Sequence, residues 1–241
     1  MKDVVPPFVS RRRFLAMSAA VPVLAACAGP GSLKGATVAA MSASGQPAQV
    51  PAPALAVGDE WRYTQRSNLN GVVQDTLVLR VTGVDATGYS MLETWGSIGQ
   101  VQARYDRNLN PLLSHKLAYR PAFPRFRFPL SPGQSWSGTV VTERLPAQPG
   151  DSWTDQVKGS VAGWEQVTVA AGTFAALRVD TPFTWGNTRN SAAFGDSSER
   201  IWYAPAVRNI VLLYRVDFAG GRFEEGNYVV ALDSFRPGSA G

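Results

Sequence analysis

The chain has 241 residues, 45% of them apolar, with 23 Lys and Arg against 18 Asp and Glu, a formal charge of +5. Four of those basic residues and one acidic residue lie in the first 27, so the rest keeps 19 basic and 17 acidic residues, a near-neutral balance that argues against a nucleic-acid partner. With one cysteine and one histidine in the whole sequence, neither a disulfide framework nor a His/Cys metal cluster can form.

Residues 1–26 read as a signal peptide. Arg11, Arg12 and Arg13 form a basic region, and Phe14 to about Leu24 is an apolar stretch ending in Ala25 and Ala26. About eleven apolar residues are too few for a membrane span, which needs about 20. Ser10-Arg11-Arg12-Arg13-Phe14-Leu15 resembles the twin-arginine export motif, with Arg11, Arg12, Phe14 and Leu15 as its signal positions and Ala16 where Lys is usual. Leu24-Ala25-Ala26-Cys27 resembles a bacterial lipobox, which implies cleavage before Cys27 and a lipid on its thiol. Ala28 follows the cysteine where Asp would imply inner-membrane retention. The resemblance therefore implies an outer-membrane anchor facing the periplasm of a Gram-negative envelope.

Residues 27–56 are rich in Ala, Gly, Ser and Pro, carry the single charge Lys34, and show no periodic apolar face. This composition predicts a flexible, lipid-anchored linker. A single β domain is expected over 57–236, and residues 237–241 form a C-terminal tail.

From Val57 the pattern alternates with period two. Trp61 and Tyr63 share a face. Leu77, Leu79 and Val81 oppose Thr76, Arg80 and Thr82. Further runs are Tyr89–Trp95, 134–143, 156–169, 175–181, 199–203, 210–218 and 228–235. In the run 210–218, Leu212, Tyr214, Val216 and Phe218 share one face, with Arg215 and Asp217 on the other. The expectation is all-β with eight to eleven strands, an antiparallel sheet curled into a barrel, half-barrel or clamshell to protect its edges. Gly58-Asp59-Glu60-Trp61 echoes Gly133-Gln134-Ser135-Trp136. The echo is either a structural duplication or a common way to start a strand.

Val167–Val179 reads as a hairpin turning at Gly172, and Ile201-Trp202-Tyr203-Ala204-Pro205 as a strand stopped by Pro205. Gly172-Thr173-Phe174-Ala175-Ala176-Leu177-Arg178-Val179, then Trp202-Tyr203-Ala204-Pro205, resembles an uncharacterised family of β-rich bacterial envelope lipoproteins. The Gly-x-x-Trp strand starts fit it too. The resemblance covers 57–235 and implies a β-rich envelope domain; it brings no catalytic residues.

Catalytic patterns are sparse. No Gly-x-Ser-x-Gly elbow, phosphate loop or dinucleotide fingerprint occurs. His115 sits between Ser114 and Lys116 in a polar turn, and the adjacent Glu224 and Glu225 would point to opposite faces of a strand. No cofactor is implied. One stretch, Tyr119–Pro129, interleaves arginines with aromatics. If extended, it sets Arg125 and Arg127 on one face, for an anionic ligand or acidic partner, and Phe126 and Phe128 on the other. On this reading, reversing both arginine charges is expected to abolish ligand or partner capture while sparing stability; the alternative is an edge segment with solvated arginines. Three readings follow. The first is a non-enzymatic binding or assembly module at the outer membrane, partnered by another envelope protein. The second is a carrier holding a hydrophobe against Trp61, Trp136, Trp164 and Tyr214. The third is a carboxylate-dependent envelope enzyme.

Overall fold

The computed structural model describes residues 31–148, 151–219, 222–223 and 226–238. The signal positions Arg11, Arg12, Phe14 and Leu15, the lipidation candidate Cys27, and Glu224 and Glu225 lie outside them. Fifteen strands are described. The first eight are β1 (Gly31–Leu33), β2 (Ala36–Ala40), β3 (Glu60–Ser67), β4 (Val73–Asp85), β5 (Gly88–Trp95), β6 (Gly99–Asp106), β7 (Pro111–Ser114) and β8 (Leu117–Arg120). The rest are β9 (Ser135–Arg144), β10 (Ser152–Val169), β11 (Gly172–Asn187), β12 (Phe194–Ala204), β13 (Asn209–Ala219), β14 (Arg222–Phe223) and β15 (Tyr228–Arg236).

Twelve of them close a barrel. β3 to β13 pair antiparallel in sequence order, β15 joins β13, and β15 pairs back onto β3. Closure gives nearly every backbone donor and acceptor a ladder partner and removes the free edges an open sheet would expose. Along β12, Ser197, Glu199 and Ile201 are buried while Asp196, Ser198 and Arg200 face water. From Asp196 to Arg200 the outward row of β12 is polar, unlike the apolar band of a membrane-spanning strand.

One end is solid. Trp61, Tyr89, Met91, Phe126, Leu130, Leu177, Ile201 and Leu232 are fully buried in one cluster there. Two irregular segments plug this end, joined by a bridge in which Val50 and Leu130 exchange backbone bonds of 2.9 and 2.8 Å. They are tied to three different turns of the barrel. Tyr89 donates its hydroxyl to the Pro53 carbonyl (2.6 Å), Arg208 reaches the Ala54 carbonyl (2.9 Å), and Asn110 donates to the Phe126 carbonyl (3.0 Å).

The flexible linker expected over 27–56 is overturned from Gly31 onward, and the domain boundary at 57 moves with it. β1 and β2 form a hairpin, and β2 pairs with Glu165–Thr168 of β10. The reason lies in strand lengths. β10 has 18 residues, and β9 covers it only from Ser152 to Ser160. β2 takes the same edge beyond that point, and its Ala36 is buried in the core. At the other terminus, the expected tail begins as part of the barrel, since the Gly238 amide donates to the buried Asp59 carboxylate (2.7 Å).

The Gly-x-x-Trp echo is structural. Gly58 and Gly133 both have positive φ, and each donates to a valine carbonyl, Val81 or Val161. Each valine donates back to the next residue of the motif, and each is followed by a bulge ending at a glycine, Gly83 or Gly163. A second pair of register shifts falls at Arg104/Tyr105 and Trp202/Tyr203. Beyond these, Leu109 and Arg208 both turn through the left-handed region before a buried asparagine, Asn110 or Asn209. The barrel is thus two six-strand halves, β3–β8 and β9–β13 with β15. Short strands such as β1, β7, β8 and β14 raise the count above the expected eight to eleven.

Candidate functional site

Away from the plugged end the barrel is not filled. Its lumen has two lobes of about 390 and 690 Å³, both walled by Leu117, Tyr119, Arg125, Arg144, Arg215 and Asp217. The lining residues Gln65, Gln74, Ser97, His115, Arg144 and Trp153 sit at or beside the β3–β4, β5–β6, β7–β8 and β9–β10 turns, so the mouth lies at that end.

The smaller lobe is built around a buried carboxylate. Glu199, on β12, is wholly buried and accepts two parallel bonds from Arg125, Nε to Oε2 and Nη2 to Oε1, each 2.8 Å. Arg215 adds Nη1 to Oε1 at 3.1 Å and turns its Nε to Asp217 at 3.0 and 3.1 Å. Burial alone would raise the Glu199 carboxyl, but Arg125 and Arg215 outweigh it and hold it below its ordinary value. Each guanidinium is backed by a ring, Arg125 by Phe123 at 5.8 Å and Arg215 by Phe183 at 5.3 Å. Asp155, which accepts from the Thr142 hydroxyl, is raised by burial. The Tyr119 hydroxyl is pushed up to about 12, chiefly by burial.

A second carboxylate, Glu93, is buried in the wall of the larger lobe. It accepts from Trp95 Nε1 (3.0 Å), Tyr105 (2.9 Å), Ser114 (2.7 Å) and the His115 amide (2.9 Å). The His115 ring lies 4.6 Å from that of Trp95, and burial lowers its pKa, with Glu93 and Asp75 opposing. His115 is exposed, as its polar turn implies, and its side chain borders the larger lobe at the mouth.

The Tyr119–Pro129 stretch is split by the structure. Beyond Arg120 it is not a strand, so Arg125 and Arg127 do not share a face. Arg125 enters the lumen. Arg127 is exposed, and its carbonyl accepts from Gln134 Nε2 (2.8 Å). Phe126 is buried near Phe128 and Tyr203 and borders the larger lobe, whereas Phe128 lines neither lobe. The expected carrier aromatics are corrected too. Trp61 and Trp136 are buried with their indoles bonded to the Val207 and Pro124 carbonyls, and neither they nor Trp164 and Tyr214 line the lumen. The lumen rings are Tyr63, Trp95, Tyr119, Trp153, Phe183 and Trp185 among others. Arg215 and Asp217, expected on the wetted face of their strand, point inward. The run Leu212–Phe218 suggested the reverse because an apolar row was taken as the buried one. Here, alternation was the available signal, but it does not say which face is inside when the inside is polar.

Among the described residues no helix is long and apolar enough to cross a membrane. No protein-family model matches the chain, and no curated protein matches its sequence. In structure the chain is similar to a protein classed as a lipoprotein from Parabacteroides distasonis, with a TM-score of 0.51 and 13% identity, over 79% of this chain and 100% of that one. A protein classed as exported, with a YmcC-like fold, from Bacteroides fragilis aligns with a TM-score of 0.49 and 15% identity, over 78% and 99%. The lipoprotein YmcC of Escherichia coli, there called hypothetical, aligns with a TM-score of 0.38 and 11% identity, over 76% and 86%. At 13% identity, the likeness to the Parabacteroides protein bears on the fold alone.

Proposed function

We propose that this protein is a non-enzymatic, ligand-binding barrel of the bacterial envelope that holds a small amphipathic molecule in its lumen. The observation that supports this reading is the lumen itself. Its two lobes, about 390 and 690 Å³, fall within the ~300–1,000 Å³ of small-molecule sites. It combines aromatic walls with a few buried polar groups, and it opens at one end only. Lipidation at Cys27, after twin-arginine export, would place the barrel on the periplasmic side of the outer membrane. The exported and lipoprotein descriptions of the structural neighbours are in keeping with such a place. Glu199 and Asp217 are counter-ions to arginine in this reading.

A second reading, a docking module for another envelope protein, draws on the mouth. Leu69 and Val72 of the β3–β4 turn and Phe194 of β12 are 69, 61 and 55% exposed at that end. Mass spectrometry of the protein purified from the periplasm under native conditions separates the two. A stoichiometric small molecule is expected. An empty barrel that cross-links to one envelope protein through this rim would replace the first reading by the second.

A further inference from the structure

Resting on the lumenal-ligand reading, we infer that the lumen recognises the anionic headgroup of its ligand, a carboxylate or phosphate monoester on an apolar body, through Arg125, Arg215 and Arg144. The hydrogen-bond inventory of the three guanidinium groups is the first argument. Arg125 commits Nε and Nη2 to Glu199, and its Nη1 makes no hydrogen bond among the described residues. Arg215 commits Nε to Asp217 and Nη1 to Glu199, and its Nη2 is left in the same condition. Arg144 has no ion pair among the described residues; its contact is the ring of Trp153 at 5.9 Å. All three line both lobes. Unengaged donors on Arg125 and Arg215, which their carboxylates pre-orient, and on the exposed Arg144 at the mouth are groups that bind carboxylate or phosphate oxygens.

The second argument comes from the duplication. Matching the bulges at Gly83 and Gly163 pairs Val81 with Val161, and the ladder then sets Val101 of β6 opposite Glu93 and Glu199 of β12 opposite Thr181. Glu199 therefore occupies the place that Val101 holds in the first half. The first half carries an apolar residue at that place, with the buried Glu93 directly opposite, so the repeated unit does not itself specify a carboxylate there. Buried ion pairs are weak stabilisers compared with apolar packing, so a cluster that only one half carries points to a use beyond the shared fold. The third argument is the lining of the smaller lobe: Phe123, Phe183 and Trp153 stand beside Arg125, Arg215 and Arg144, so an apolar body and an anionic head would both find partners there.

The test uses the whole chain carrying Cys27→Ser, purified without detergent, and the fluorescent fatty acid cis-parinaric acid. Binding is read by energy transfer from the lumenal tryptophans. The acid is expected to bind at least about tenfold more tightly than its methyl ester, the range of a charge-assisted hydrogen bond. Arg144→Gln is expected to bring the acid severalfold toward the ester while leaving the melting temperature unchanged. Competition by dodecanoate against dodecyl phosphate then tells which anion is preferred, and either preference supports the inference. Equal binding of acid and ester, unchanged by Arg144→Gln, would overturn headgroup recognition and leave the lumenal-ligand reading standing. Binding of neither would remove both.

Discussion

Arg125 and Glu199 lie 74 residues apart in the chain and meet through two parallel 2.8 Å bonds inside the barrel, with the carboxylate side chain wholly buried. Arg125 comes from an irregular segment and Glu199 from the middle of β12, so this pair fastens the plug segment to the wall. Removing one partner leaves a charge buried against Arg215 alone. Arg125→Ala is therefore expected to cost about 3–5 kcal/mol, seen as a lower midpoint in thermal or denaturant unfolding. Arg127→Glu, at an exposed position, is expected to stay within about 0.5 kcal/mol of the parent. Reversing both charges is therefore expected to cost stability at Arg125 and not at Arg127, because burial distinguishes two residues that composition does not.

Gly159 and Trp136 face each other across β9 and β10, and a Cβ on Gly159 would lie 2.1 Å from the indole. The ring occupies the space a side chain would take. Gly159→Ala is expected to destabilise the protein by at least about 1–3 kcal/mol through overpacking. Combining it with Trp136→Leu should recover part of the loss, a coupling measured by a double-mutant cycle on unfolding free energies.

The β1–β2 hairpin covers the overhanging edge of β10. Amides of β2 are expected to exchange slowly with deuterium, as ladder members and not as linker. Deleting residues 31–40 should unmask the Glu165–Thr168 edge and promote association, checked by light scattering at rising concentration.

Burial raises the Asp155 carboxyl above its ordinary 3.8, with the Thr142 hydroxyl and Arg215 opposing. The folded state holds that proton more tightly than the unfolded state does. Stability is therefore lost as pH rises from the ordinary value through the raised one, and the loss persists above it. Asp155→Asn keeps an acceptor for Thr142 without the charge. It is expected to melt higher than the parent at neutral pH, with the difference vanishing by about pH 3.

Much of the wall was legible from alternation alone: Trp61 and Tyr63, Leu79 and Val81, and the hairpin at Gly172 all lie as their spacing indicates. The Gly-x-x-Trp echo was visible too, yet only backbone bonds and paired bulges distinguish duplication from coincidence. The site was not legible. Period two says that Arg215 and Asp217 share a face, but an apolar neighbouring row made that face look like the outside. Burial of an ion cluster is a tertiary fact with no local signature, since the partners of Glu199 come from residues 16 and 74 positions away. The linker misled for a similar reason, because small residues without an apolar stripe still pair well where an edge stands open.

The seat of the first hairpin sets a direction for the molecule. β1 lies beside the turn between β10 and β11, at the plugged end, and Gly31 is four Cα steps along the chain from Cys27. In any backbone conformation four residues reach no further than about 14 Å. A lipid on Cys27 would thus hold the plugged end against its bilayer, with the mouth lying ~50 Å of strand away along β10. The barrel would stand like a cup on its base, filled from the aqueous side and by whatever approaches across it, not by the membrane to which it is fixed.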